Sequence, residues 1–213
     1  MGQVIELSQT LKVQHSPNPK GSKGEHRRPR KWLSPDEVAR MVKTVRKKKI
    51  GRTPERDALM IDLAYRHGLR ASELLEICWA QFDMTGRNPI VHVVRKKGGT
   101  PGDHPIEGDI LRALREHERS YKDSPYVFYN EQTGGPFTVQ MFHKLVVRAG
   151  AAAGLPFPAH PHMLRHARGT LLAKAGRTTR DIQVFLGQKN IQNTQIYTEF
   201  AASAERFRGF TTR

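Results

Sequence analysis

Five residues scattered along this 213-residue chain carry side chains suited to one reaction. Arg70 lies in GLRASELLEI, Lys97 in RKKGGT, His162 and Arg165 in HPHMLRH, and Tyr197 in NTQIYTEF. A phenol supplies an oxygen nucleophile, and cations neutralise the charge that builds on a five-coordinate phosphorus. With an imidazole to move a proton, the set suffices to break a phosphodiester without a metal. No run of Asp, Glu and His at metal-ligand spacing competes with it.

Each residue also has an ordinary alternative. The Arg70 guanidinium either grips two phosphate oxygens or pairs with Glu73, three positions on. His162 and Arg165 share a helix face, with His166 one position further; the bare spacing equally suits a capped, half-exposed histidine. Lys96 and Lys97 stand at a glycine turn, where an ammonium either protonates a leaving alkoxide or stays in solvent. The residues do not say which lysine points inward; Lys97 is preferred. Tyr197 follows the polar run Gln192 to Gln195, with Ile191 and Ile196 expected as its buried partners.

The elements that must hold these positions follow from the pattern. Leu33 begins the ordered chain, and Ser34, Pro35 and Glu37 form a capping box ahead of an apolar stripe through Val38, Met41, Val42 and Val45. A second helix opens at Thr53-Pro54, is apolar around most of its circumference, and closes at Gly68. A third spans about Ala71 to Ile77. Ile90 to Val94 predicts a strand entering the Lys96–Gly99 turn, with His104–Ile106 returning. Ile110 to Leu114 resumes helix, Tyr126 to Tyr129 suits a short strand, and Phe142 to Ala149 gives another amphipathic stripe. From Pro161 onward the chain reads as short helices broken at Gly176, Gly187 and Asn190. The expected fold is mainly α with a small antiparallel β-ribbon, an α+β domain over 32–213.

Residues 1–31 contrast with this. SPNPKGSKGEHRRPRK has almost nothing to bury and reads as a flexible basic arm, either lying on phosphates or merely solubilising. The whole chain has 36 Lys+Arg against 20 Asp+Glu, a formal +16, which favours a polyanionic partner. Cys78 is the single cysteine, so no intrachain disulfide forms; its apolar setting predicts a buried thiol. No stretch reaches the ~18 apolar residues of a membrane span, and a reducing, cytoplasmic setting is expected.

The order GLRASEL, lysine hairpin, HPHMLRH, then LGxxxIxxTxxYT resembles the tyrosine recombinase (phage integrase) family over about Leu33 to Thr198. Within it the chain is most similar to the short invertases of fimbrial phase variation, which lack an N-terminal core-binding domain. The resemblance implies the tyrosine recombinase catalytic-domain fold, with Arg70 and Arg165 binding phosphate, Lys97 as general acid for the 5′-oxygen, and His162 as acid/base helper. Tyr197 would form a 3′-phosphotyrosyl link, and no metal or nucleotide cofactor is needed. Gln188 departs from the His or Trp usual after Leu-Gly; its amide still donates a hydrogen bond but moves no proton. Arg95, Lys96, His166 and Lys189 are further candidates for contact with DNA.

The implied protein is a site-specific recombinase acting in inversion, integration or excision on double-stranded DNA. It would work as a tetramer on paired sites, be a monomer or weak oligomer when free, and draw on accessory DNA-bending proteins in the nucleoid. Two alternatives are a non-catalytic DNA-binding regulator keeping the fold, favoured by Gln188, and a topoisomerase-like enzyme. Phe200, Phe207 and Phe210 in the tail suit either docking on a neighbouring subunit or covering the chain's own core.

Overall fold

The computed structural model describes residues 32–96, 98–130 and 132–206, with backbone alone for 200–206. The basic arm, Lys97 and the tail aromatics Phe207 and Phe210, together with the Phe200 side chain, lie outside the described residues.

Helix α1 (Pro35–Lys47) starts as the sequence predicts. Ser34 Oγ accepts from the Glu37 N–H at 3.2 Å, and the Glu37 carboxylate accepts from the Ser34 N–H at 2.7 Å. Helix α2 (Pro54–Arg66) buries Ala58 to Ile61 and Leu63 to Tyr65, so nearly its whole girth is core. Each such large aliphatic side chain contributes about 1.5–3 kcal/mol by leaving water. α2 packs against α1, α4 (Gly108–Tyr121) and α6 (Pro161–Lys174), while α5 (Val139–Ala152) closes over α1. Gly68, at φ +57°, turns the chain out of α2 and into α3 (Ala71–Leu75).

The sheet is antiparallel, in the order β1 (Phe82–Asp83), β2 (Ile90–Val93), β3 (Gly102–Pro105). Val91 lies opposite His104 and Val93 opposite Gly102, with both valines facing the core. The two-residue β1 is too short to leave a period in the sequence.

Four expectations need correction. α3 stops at Leu75 because Ile77 and Trp79 leave the helix to pair with the chain at 125–127. That pairing and one bridge at Tyr129 replace the strand expected over Tyr126–Tyr129, where Pro125 lacks an N–H for a regular ladder. Cys78, on this outer connection, is half-buried, its thiol facing the Glu76 carbonyl at 3.5 Å. The C-terminal breaks fall as predicted, but α6 and α8 (Gln192–Arg206) are long helices; between them only α7 (Thr179–Leu186) is short.

Candidate active site

One cleft of about 500 Å³ collects Arg70, His162, Arg165, His166, Gln188, Lys189 and Tyr197 among its lining residues. Two of these residues, Arg70 and Arg165, belong to a cluster of ions around Glu73. Glu73, on α3, receives Arg70 Nη1 at 2.6 Å, the Arg70 N–H at 2.9 Å and Arg95 Nη1 at 2.8 Å. Arg165 Nη1 lies 3.9 Å from the same carboxylate. Burial opposes the Glu73 charge. The Arg70 N–H, with the Arg95 and Arg70 guanidiniums, more than offsets this and holds its pKa below the usual range. The pairing of Arg70 with Glu73 therefore exists and does not exclude Arg70 from the cleft, which it also lines.

Arg165 is clamped from behind. Its Nη1 donates to the Gly68 carbonyl at 2.6 Å and its Nη2 to the Leu186 carbonyl at 2.7 Å. The turn after α2 and the end of α7 thus fix one side of the fork, leaving further N–H donors for a ligand. Burial, then the neighbouring Arg70 and Arg95 charges, lowers its pKa to about 10, which still leaves it charged at neutral pH.

Tyr197 sits on α8 with its ring against Gly169 of α6. A Cβ at Gly169 would come within 2.8 Å of that ring, so only glycine allows this approach. The residue is 3% exposed and packs with Ile182 and Leu186. Ile191 and Ile196, expected to be buried, are 42% and 49% exposed instead. Adjacent residues on a helix do not share a face, and it is the tyrosine that points inward. Its hydroxyl oxygen is 2.9 Å from His166 Nδ1 and is also hydrogen-bonded by the Gln188 side chain. Burial raises the phenol pKa; Arg165, the Gln188 hydrogen bond and Arg70 pull it back down in part. Gln188 is itself oriented, accepting from the Thr194 hydroxyl at 2.6 Å.

The remaining candidates divide. His162 is exposed at the rim of the cleft. The Lys189 side chain lies over the hairpin turn, where a Cβ on Gly98 would meet its Nζ at 2.5 Å. The Lys96 ammonium pairs with Glu76. Arg95 lies inside the protein, 6% exposed, its guanidinium held by Glu73 and the Phe185 carbonyl. It cross-links the hairpin to α3 and α7 and presents no DNA-facing surface. Beside it Gly187, at φ +59°, caps α7 where any Cβ would strike the Arg95 side chain. Glu73 as the centre of the cluster was not foreseen beyond its pairing with Arg70; the same carboxylate three residues on was the available signal.

A helical domain that sets a buried tyrosine hydroxyl beside two arginines defines the class of tyrosine recombinases. The chain belongs to the phage integrase family, whose pattern matches residues 31–203. It is 36% identical to the type 1 fimbriae regulatory protein FimE of Escherichia coli K12 over 190 residues, covering 86% of this chain and 92% of that protein. It is 33% identical to the tyrosine recombinase XerD of Caulobacter vibrioides, covering 80% of this chain and 58% of that one. Among solved structures it resembles the XerA recombinase (TM-score 0.68, 23% identity) over 85% of this chain and 65% of that one. It also resembles the XerH site-specific recombinase in a post-cleavage complex with palindromic difH substrate (TM-score 0.73, 22% identity), over 84% and 52% of the two chains. These structural likenesses establish the fold, mainly helices with a three-stranded antiparallel sheet.

Proposed function

We propose that this protein is a site-specific DNA recombinase that cuts and rejoins duplex DNA through a 3′-phosphotyrosyl link on Tyr197. The observation carrying this reading is that Tyr197 lines the same cleft as Arg70, Arg165, His162 and Gln188. Arg70 and Arg165 hold the non-bridging oxygens of the scissile phosphate, and their charge stabilises the five-coordinate phosphorus. Tyr197 Oη attacks phosphorus while the 5′-oxygen leaves with a proton from Lys97; His162 assists at the rim. The phosphotyrosine keeps the energy of the broken bond, so rejoining needs no nucleotide.

The rest of the reading is proposed with it. The basic arm over 1–31 and the catalytic domain over 32–213 divide the chain, and the family match over 31–203 supports that division. Lys189 and His166 line the cleft, and Lys96 stands on the neighbouring hairpin; all three are proposed for DNA contact. Paired DNA sites are brought together by a tetramer, with accessory DNA-bending proteins, in inversion, integration or excision. A cytoplasmic place on the nucleoid follows from that substrate; among the described residues no helix is long and apolar enough to cross a membrane. A regulator without cleavage chemistry is disfavoured, because the phenol and both arginines keep a shared cleft.

The test is covalent trapping from a pool of nicked duplexes with randomised arms, followed by sequencing of the captured DNA ends. Wild-type protein should give a protein–DNA adduct that Tyr197→Phe abolishes. Binding of DNA with no adduct would sink the reading.

A further inference from the structure

The Tyr197 hydroxyl has a partner that the roles above leave unused. His166 Nδ1 lies 2.9 Å from Tyr197 Oη, with the two rings 5.7 Å apart and inclined at 53°. His162, one turn earlier on α6, lines the same cleft from an exposed position. The imidazole in hydrogen-bond contact with the nucleophile is that of His166.

The groups around that hydrogen bond are mostly donors. Gln188 Oε1 accepts from the Thr194 hydroxyl, which leaves the amide nitrogen able to donate elsewhere. The Gln188 side chain neighbours the Tyr197 hydroxyl, and its amide N–H can donate there. The guanidiniums of Arg70 and Arg165 near the phenol are donors without acceptor atoms. With those donors around it, the phenol gives its own proton to His166 Nδ1 when the imidazole is in its Nε2–H tautomer, the arrangement that a base at this position requires.

We propose that His166 is the general base that takes the Tyr197 proton during DNA cleavage. This rests on the recombinase reading and assigns one further catalytic residue within it. In the step, an Oη lone pair forms the bond to phosphorus as the phenolic proton passes to Nδ1. The P–O5′ bond breaks, its electron pair leaves on the 5′-oxygen, and Lys97 supplies the proton there. On rejoining, the imidazolium returns its proton to the departing phenolate. A base is needed because a phenol of ordinary pKa, about 10, is ionised to roughly one part in a thousand at neutral pH, and burial lowers that fraction further.

Cleavage is measured with a nicked duplex recovered by the trapping selection. His166→Asn keeps an acceptor oxygen near the Nδ1 position but has no basicity. It should bind that duplex as wild type does in a gel shift, yet form adduct about 10²–10⁴-fold more slowly. Placing 2,3-difluorotyrosine at Tyr197 makes the phenol more acidic, and should narrow the His166→Asn deficit to about tenfold or less. Nitrogen NMR of wild-type His166 should show the Nε2–H tautomer, a measurement that requires no variant. Adduct formation by His166→Asn within threefold of wild type overturns the assignment. So does a deficit that the fluorinated phenol leaves intact, or a proton found on Nδ1 at neutral pH. Failure of wild type to form any adduct overturns the recombinase reading and the base together, and is seen before any variant is made.

Discussion

Around Glu73 one carboxylate is shared by three guanidiniums; around Arg66 one guanidinium is shared by three carboxylates. Arg70, Arg95 and Arg165 meet at Glu73, whose side chain is 1% exposed. Arg66 meets Asp62 at 2.9 Å, Asp109 at 3.1 Å and also Glu107, the last two more than half exposed. Both knots tie helices together, α3 to α6 and α7 in the first case and α2 to α4 in the second. They differ in what they leave over. The first has two positive charges in surplus, directed at a cleft and buried where Coulomb forces are strong. The second has a negative surplus at the surface, on a protein whose overall charge is +16. The first therefore suits a phosphate, and the second suits holding two helices in register.

The largest break is at the centre of the buried knot. Glu73→Gln removes the shared charge and leaves three guanidiniums facing one another with little water. Loss of one partner from a buried ion cluster typically costs about 3–5 kcal/mol. Urea unfolding should show the unfolding free energy falling by that amount, with a lower midpoint and an unchanged slope. A variant as stable as wild type would mean that the arginines rely on their carbonyl partners alone.

The layer between the knots gives the next test, through pH. His67, which follows Arg66, passes its carbonyl to Arg95 Nη2 at 3.4 Å, and its ring lies 5.6 Å from that of His104. Burial first, then His104 and the nearby arginines, lowers the His67 pKa to about 3; burial and Arg95 lower that of His104 to about 3. Both are therefore neutral in the fold and add no repulsion to the cluster above them. Unfolded histidine titrates near 6.5, so as pH falls the unfolded chain takes up protons first. Stability is complete above about pH 6.5 and is lost progressively toward pH 3. Between pH 7 and pH 5 each histidine should cost about 2 kcal/mol. His67→Phe, at a ring whose Nε2 is buried without a partner, should remove about half of that dependence in urea titrations at the two pH values.

The two knots also show what a sequence can and cannot display. Arg70 and Glu73 are three residues apart, and their pairing is visible as spacing. Arg95 comes from 22 residues further on, inside the basic run RKK, and nothing in that run separates the buried arginine from its solvent-facing neighbours. Burial depends on Gly187 and on the Glu73 carboxylate, both brought by other elements. The same holds for Tyr197: its motif is legible, whereas Gly169 beneath the ring and His166 on the hydroxyl depend on how α8 crosses α6. Local signals such as the Ser34 capping box transferred to the fold unchanged. Gln188 lies between these cases. Its departure from the family pattern was readable, but its placement on the phenol depends on Thr194. Gln188→Ala should slow adduct formation by roughly five- to tenfold, the worth of one neutral hydrogen bond near 1 kcal/mol. A loss of 100-fold or more would instead mean that the amide also serves the phosphate.

The smallest effect belongs to the surface knot, and salt is what sharpens the contrast. Glu107→Gln removes one of three carboxylates from Arg66, which keeps Asp62 and Asp109. Exposed pairs of this kind contribute about 0–1 kcal/mol, because water screens both partners and the side chains lose freedom in holding one geometry. The change in unfolding free energy should stay below about 1 kcal/mol in dilute buffer and disappear near 1 M salt, where the Debye length is about 3 Å. The Glu73→Gln penalty should persist under the same salt, since counterions do not enter a site whose carboxylate is 1% exposed. Equal salt sensitivity in the two variants would show that the knots differ in composition only, and that the surplus of positive charge at the cleft is screened before any phosphate arrives.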